Sequence, residues 1–209
     1  LVQKAKEDPA LGLAVTSEGG NCVIKAILLA SAAKLPFWHK GRLEKDDDHE
    51  VPLDYTQGAG LVNAAAAYSV LTTGRTNPAG DPASAGWDLN RSASDGPANI
   101  YNIRTAELSG ESLSVMLVWN RHYSDTYPFE PLREKDADLR LELWAIDTQN
   151  GEDILLDYSD SRLDNVEHIY FPVTEGFRDY RIIVLSNDIA QQYAIAWHTC
   201  KGRDYDNIL

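Results

Sequence analysis

Val23, Ile24, Ile27, Leu28, Ser31 and Leu35 fall along one stripe at helical spacing, which predicts a helix over 22–35. Asn21 is placed to cap its start, and Pro36 follows its end. The opening segment LVQKAKEDP reads as the closing turns of another helix, stopped at Asp8-Pro9. A third helix is expected in 60–72, where the Ala-rich run 64–67 follows a turn made possible by Gly58 and Gly60 and ends at Gly74. Between the second and third helices, 37–54 reads as an irregular, charged and solvated loop.

From Arg75 to Ser94 the pattern dissolves into Gly, Pro, Asn and Ser, the composition of a linker. Beyond it the period becomes two. Leu113, Val115, Leu117 and Trp119 alternate with Ser114, Met116 and Val118, and Leu139, Leu141 and Leu143 alternate with Arg140, Glu142 and Trp144. Further strands are expected at 99–105, 153–159, 166–172, 179–185 and 191–198, with turn chemistry at Gln149-Asn150-Gly151 and Glu175-Gly176. Seven short alternating strands predict an antiparallel β-sandwich. The expected organisation is an α+β chain: helices in 1–75, a linker in 76–94, and a jelly-roll-like sandwich in 95–209.

Charge narrows the partners. The chain carries 19 Lys+Arg against 32 Asp+Glu, a net charge of −13. Residues 1–75 contribute 8 basic and 9 acidic side chains, so nearly all the excess lies in the sandwich. Such a surface repels phosphate backbones and anionic lipid, which excludes nucleic acid as a partner. The apolar stretches around 23–33 and 61–71 fall short of the ~20 residues of a membrane span, and no signal-peptide pattern is present. A helix that opens at Leu1 without a start signal reads as part of something longer.

Candidate chemistry is sparse. Ser112 opens a strand in GESLS and lacks the second glycine and following helix of a nucleophile elbow. Thr16-Ser17 is expected in a flexible loop. His39, His49, His122, His168 and His198 form no His-Glu-x-x-His pair. His39 and His49 with Asp46, Asp47 and Asp48 could gather an oxygen-rich metal site, against a solvated loop as the default. Asp136 and Asp138 resemble strand-edge calcium ligands, against solubilising charges. Trp87, Trp119, Trp144 and Trp197 could form a sugar platform, but Trp119 and Trp197 share faces with aliphatic residues and are expected in the core. Cys22 and Cys200 read as buried thiols, with a long-range disulfide as the alternative. No catalytic, cofactor or metal residue is assigned.

Two segments resemble a known family. VIKAILLASAAKL (23–35) followed by DYTQGAGLVNAAAAYSVL (54–71) is similar to the end of the subtilisin-like serine peptidase domain. Lys25, Leu28, Ser31 and Ala32 match its V-K-x-x-L-x-x-(S/T)-A helix, and Gly58, Gly60, Val62, Asn63 and Ala67 match its G-x-G-x-V-(N/D)-x-x-x-A turn and helix. LVQKAKED then corresponds to the end of the serine-bearing helix. LSVMLVW, DLRLELWAID, NVEHIYF, DYRIIVL and QYAIAW resemble the β-sandwich domains that follow secreted members, although Arg140 replaces the second acidic residue of a D-L-D-L strand. The resemblance implies a secreted or cell-surface serine endopeptidase as parent, with this chain as its inactive C-terminal part. The implied partners are the remainder of the peptidase domain and the parent's protein substrate, with self-association through exposed helix faces. The matched region contains no catalytic Asp, His or Ser and no G-T-S-x-(A/S). The alternative is a stand-alone binding or adhesion sandwich with a helical cap.

Overall fold

The computed structural model describes residues 1–94, 98–105, 111–132, 135–146, 152–173, 177, 179–187 and 189–201. The expected turns at 149–151 and 175–176 lie outside the described residues. Four helices, α1 (Val2–Glu7), α2 (Pro9–Thr16), α3 (Gly20–Ala30) and α4 (Ala64–Thr72), precede eight strands. These are β1 (Ala85–Arg91), β2 (Asn99–Arg104), β3 (Glu111–Trp119), β4 (Leu139–Ile146), β5 (Asp153–Ser159), β6 (Val166–Pro172), β7 (Asp179–Ser186) and β8 (Gln192–Lys201).

Local chemistry explains the helix ends. Asp8 does more than stop α1: its carboxylate accepts the Ala10 N–H at 2.9 Å and caps α2, with Pro9 as the first helical residue. Thr16 therefore ends a helix and Ser17 caps it, where a flexible loop was expected. α3 starts earlier than expected because Gly19, at φ +82, turns the chain directly into the helix. Asn21 thus sits inside the first turn and pairs its amide with Asn120 (2.8 and 3.2 Å). α3 also stops five residues early. Ala33 pairs with Leu61 through two 2.8 Å backbone hydrogen bonds, which pulls the chain out of helical geometry. That pairing requires Gly60, at φ +118, where a Cβ would lie 2.4 Å from the Ala33 carbonyl oxygen. α4 begins only beyond it, capped by Asn63 on the Ala66 N–H at 3.0 Å.

The strands form two four-stranded antiparallel sheets, ordered β1-β8-β3-β6 and β2-β7-β4-β5. Every connection except β4–β5 crosses between the sheets, as in jelly rolls. Leu113, Val115, Leu117 and Trp119 point into the space between the sheets, with Leu139, Leu141 and Leu143 of β4, Ile182 and Val184 of β7, and Tyr193, Ile195 and Trp197 of β8. The other face of the first sheet is buried as well. Met116, Val118, Ala194 and Ala196 pack under the helices, against Val23, Ala26, Ile27 and Leu71. The first sheet is therefore a middle layer, and β3 is buried on both of its faces.

The segment read as a linker contains β1, which pairs with β8 along its length. Trp87 is fully buried there, and its indole N–H donates to the Leu71 carbonyl at 3.0 Å. One burial cluster thus runs from α1 through β1 to β6. A buried polar knot closes the junction. Arg75 donates to Asp88 at 2.7 Å, Asp88 accepts the Tyr101 hydroxyl at 2.9 Å, and the Tyr101 and Tyr193 hydroxyls are 2.9 Å apart. Helices and sandwich share their core.

Candidate functional site

The 31–63 loop is built around buried carboxylates, contrary to the solvated loop expected from its charge. Asp48 is fully buried. It accepts the Arg42 guanidinium through Nε and NH2 (2.5 and 2.9 Å) and the backbone N–H groups of Arg42 and Glu50 (3.0 and 3.2 Å). The guanidinium holds its carboxyl well below the usual carboxylate range. Asp54 accepts three backbone N–H groups, from His39, Thr56 and Gln57, at 2.7–2.8 Å. The loop is a hydrogen-bonded platform lying along β5, the edge strand of the second sheet. The His49 carbonyl accepts the Asp160 N–H at 2.7 Å.

Where loop and edge meet, four ionisable side chains converge. Lys40 Nζ lies 2.7 Å from Asp47 Oδ1 and 3.7 Å from Asp157 Oδ1. His49 Nδ1 lies 3.4 Å from Asp157 Oδ1, 3.8 Å from Asp47 Oδ2 and 2.7 Å from the Tyr158 carbonyl oxygen. The imidazole stacks on the Tyr158 ring at 3.9 Å, and Arg140 covers that ring at 4.2 Å. Burial pushes the Asp157 carboxyl up to about 7, against the lowering pull of Lys40. Asp47 and His49 open onto a cleft of about 750 Å³, which Tyr55, Arg140 and Arg162 also line.

Asp47, His49 and Asp157 present ligand atoms within 4.8 Å of one another, a spacing that a metal ion could bridge. The Lys40 ammonium already supplies a cation beside both carboxylates, and His49 Nδ1 is directed at a carbonyl oxygen, which takes a proton rather than a metal at that nitrogen. The set also falls short of the six to eight oxygens that calcium takes. His39 is not part of the cluster, and its buried Nδ1 has no hydrogen-bond partner among the described residues.

The other candidates separate. Asp136 accepts both the backbone N–H and Nδ1 of His122 at 2.8 Å, while the Asp138 backbone N–H donates to Asn187 at 2.9 Å. His168 is fully buried. Its Nδ1 faces the Pro52 carbonyl at 3.2 Å and its Nε2 faces Lys34 Nζ at 3.3 Å and Ser114 Oγ at 3.5 Å. Burial and the two nearby lysines push its pKa well below 6.5. A Ser–His contact therefore exists, but it is sealed from substrate and its nitrogen faces an ammonium, so Ser114 has no general base. Ser112 is buried in β3. Trp87, Trp119 and Trp197 are all core residues, and half-buried Trp144 donates to Glu142, so the four do not form a platform. Cys22 and Cys200 are free thiols.

Sequence reasoning reached Asp47 and His49 but missed Lys40 and Asp157. A lysine in a charged loop and an aspartate in a strand carry no signal until the two are brought together.

No family model and no curated protein matches the chain. Solved structures that resemble it include the crystal structure of the Yersinia pseudotuberculosis-derived mitogen, 13% identical over 57% of this chain and 86% of the mitogen, with a TM-score of 0.34. A Sulfurospirillum deleyianum protein is 7% identical over 55% of this chain and 98% of its own, with a TM-score of 0.27. The CBM22-1–GH10 modules of the Clostridium thermocellum endo-1,4-beta-D-xylanase 10B, complexed with xylohexaose, are 7% identical over 55% of this chain and 24% of theirs, with a TM-score of 0.26. Likenesses this distant transfer no function. Among the described residues no single helix is long and apolar enough to cross a membrane.

Proposed function

We propose that this chain is the closing part of a secreted subtilisin-like serine endopeptidase. Residues 1–75 would complete the peptidase domain, and the sandwich would stabilise it or hold substrate. One observation supports this beyond the sequence motifs: large apolar side chains remain exposed in the segment between α3 and α4. Leu35 is 38%, Phe37 92%, Leu61 58% and Val62 67% exposed. The Ala33–Leu61 pairing sets these two segments side by side. Clustered exposed apolar surface marks a partner, and in this reading the partner is the remainder of the peptidase domain, with self-association of the isolated chain as the consequence of its loss. The chain supplies no activated nucleophile of its own. Calcium is no part of the proposal.

The test is reaction with a serine-directed fluorophosphonate. A longer gene product that includes the coding sequence before Leu1 is expected to be labelled once, at a serine in a G-T-S-x-A segment within about 20 residues of Leu1, the length of the helix the motif implies. The 209-residue chain is expected to remain unlabelled. Absence of that segment, or labelling of the short chain, would overturn the proposal in favour of the binding-module reading. That alternative rests on the 750 Å³ cleft with its 70%-exposed Tyr55.

A further inference from the structure

Lys40 and Asp157 face each other across the seam between the loop and β5, and as an ion pair their contact is poorly made. Lys40 is 7% and Asp157 5% exposed. Although Asp47 Oδ1 is 2.7 Å from Lys40 Nζ, that contact is misaligned, and Nζ makes no well-directed hydrogen bond among the described residues. A buried ammonium in that state bears a desolvation cost that charge proximity only partly offsets. Arg42 and Asp48, in the same loop, show the contrast, with two guanidinium nitrogens and two backbone N–H groups aimed into the carboxylate.

The same groups have the parts of an amide-forming centre. We propose that Lys40 and Asp157 condense within the folded chain to an isopeptide bond that ties the loop covalently to the edge of the sandwich. The Asp47 carboxylate takes a proton from the Lys40 ammonium. The freed amine attacks Cγ of the protonated Asp157 carboxyl, forming the N–C bond. The tetrahedral intermediate then breaks its C–OH bond and expels water. One amide N–H and one water form, and the surplus proton stays on Asp47, whose solvent-facing side releases it. No oxidant, reductant or activating group is needed.

Three features favour the step. A protonated carboxyl is an electrophile where a carboxylate is not, and burial keeps Asp157 protonated up to about pH 7. Holding amine and carboxyl together replaces a bimolecular encounter with a unimolecular one. The departing water has an exit, because Asp47, His49 and Tyr158 line the cleft. His49 is held 3.4 Å from Asp157 Oδ1 by its stack on Tyr158 and its 2.7 Å contact with the Tyr158 carbonyl.

The decisive measurement is the intact mass of the purified chain under denaturing conditions, followed by peptide mapping. The expected result is a mass lower by one water and a branched peptide joining the segments that contain Lys40 and Asp157. Lys40→Arg and Asp157→Ala are each expected to restore the full sequence mass, a readout that does not require either variant to fold. A wild-type chain of full mass, with Lys40 and Asp157 on separate linear peptides, would overturn the proposal. So would a water loss mapped to any other pair. The outcome is independent of whether the parent is a peptidase.

Discussion

At the scale of single residues, the loop that carries the candidate site depends on a glycine and an arginine. Gly41 holds φ +70, and a Cβ there would lie 2.4 Å from Cβ of Asp48. Gly41→Ala combines a left-handed backbone with a clash against a buried side chain, and is expected to cost about 1–3 kcal/mol in urea unfolding. Arg42→Ala removes the only guanidinium bonded to fully buried Asp48 among the described contacts. The variant leaves the buried Asp48 carboxylate without its charge partner, so a clear loss of stability in urea unfolding is expected. An unchanged unfolding midpoint in the same measurement would show that Asp48 rehydrates and that the loop is not held through it.

At the scale of elements, the first sheet decides what can fold alone. Residues 95–200 have the alternating strands of an independent sandwich, but they lack β1, and without the helices Met116, Val118, Ala194 and Ala196 would face water. That fragment is therefore expected to be insoluble or to elute as an aggregate, whereas the full chain remains soluble and folded even where it self-associates. Size-exclusion chromatography of both separates the outcomes, and a monomeric, cooperatively folded 95–200 would contradict the shared core. Trp87→Ala probes the same junction from within. Its side chain is fully buried and its N–H reaches the Leu71 carbonyl. The expected destabilisation is about 3–5 kcal/mol.

For the whole molecule, buried ionisable groups shape stability against pH from two sides. Glu167 is fully buried, with Oε1 accepting the Ser161 N–H at 2.8 Å and Oε2 2.5 Å from the Ser159 hydroxyl. Burial pushes its carboxyl up to about 9, far above an unfolded glutamate, so it keeps its proton in the fold. Its contribution is present at low pH and is lost as pH rises through 9. Asp157 acts in the same sense up to about 7 wherever it remains a free acid. His168 and His198 act oppositely: burial lowers both, so their contribution is present above 6.5 and lost as pH falls below it. The histidines oppose the carboxyl below pH 6.5 and no longer do so above it, so the thermal midpoint is expected to decline from neutral pH toward pH 9. Glu167→Gln keeps an acceptor for Ser161 and removes the titrating proton, so it is expected to flatten the alkaline decline. An unchanged decline in that variant would assign the slope to another group.

What the sequence determined by itself was the strand pattern carried by period-two alternation. Strands 153–159 and 166–172 match the structure at both ends, and the alternation of Leu113 to Trp119 with Ser114 to Val118 placed β3 correctly. The alternation could not say that both faces are buried, because a strand covered by helices on one side and a sheet on the other reads like one half exposed to water. β1 stayed hidden because its neighbours are Pro, Gly, Asn and Ser, and only pairing with β8 and the burial of Trp87 make it a strand. Asp47 and His49 were legible as a metal-like pair in a charged loop. Lys40 lies seven residues from Asp47 and Asp157 a further 110 along the chain. Their contact exists only because the loop lies along the edge of the second sheet, so tertiary structure alone assembled the site: burial that raises the Asp157 carboxyl, and proximity that sets an ammonium against it, are properties of the packed chain and of no shorter piece of it.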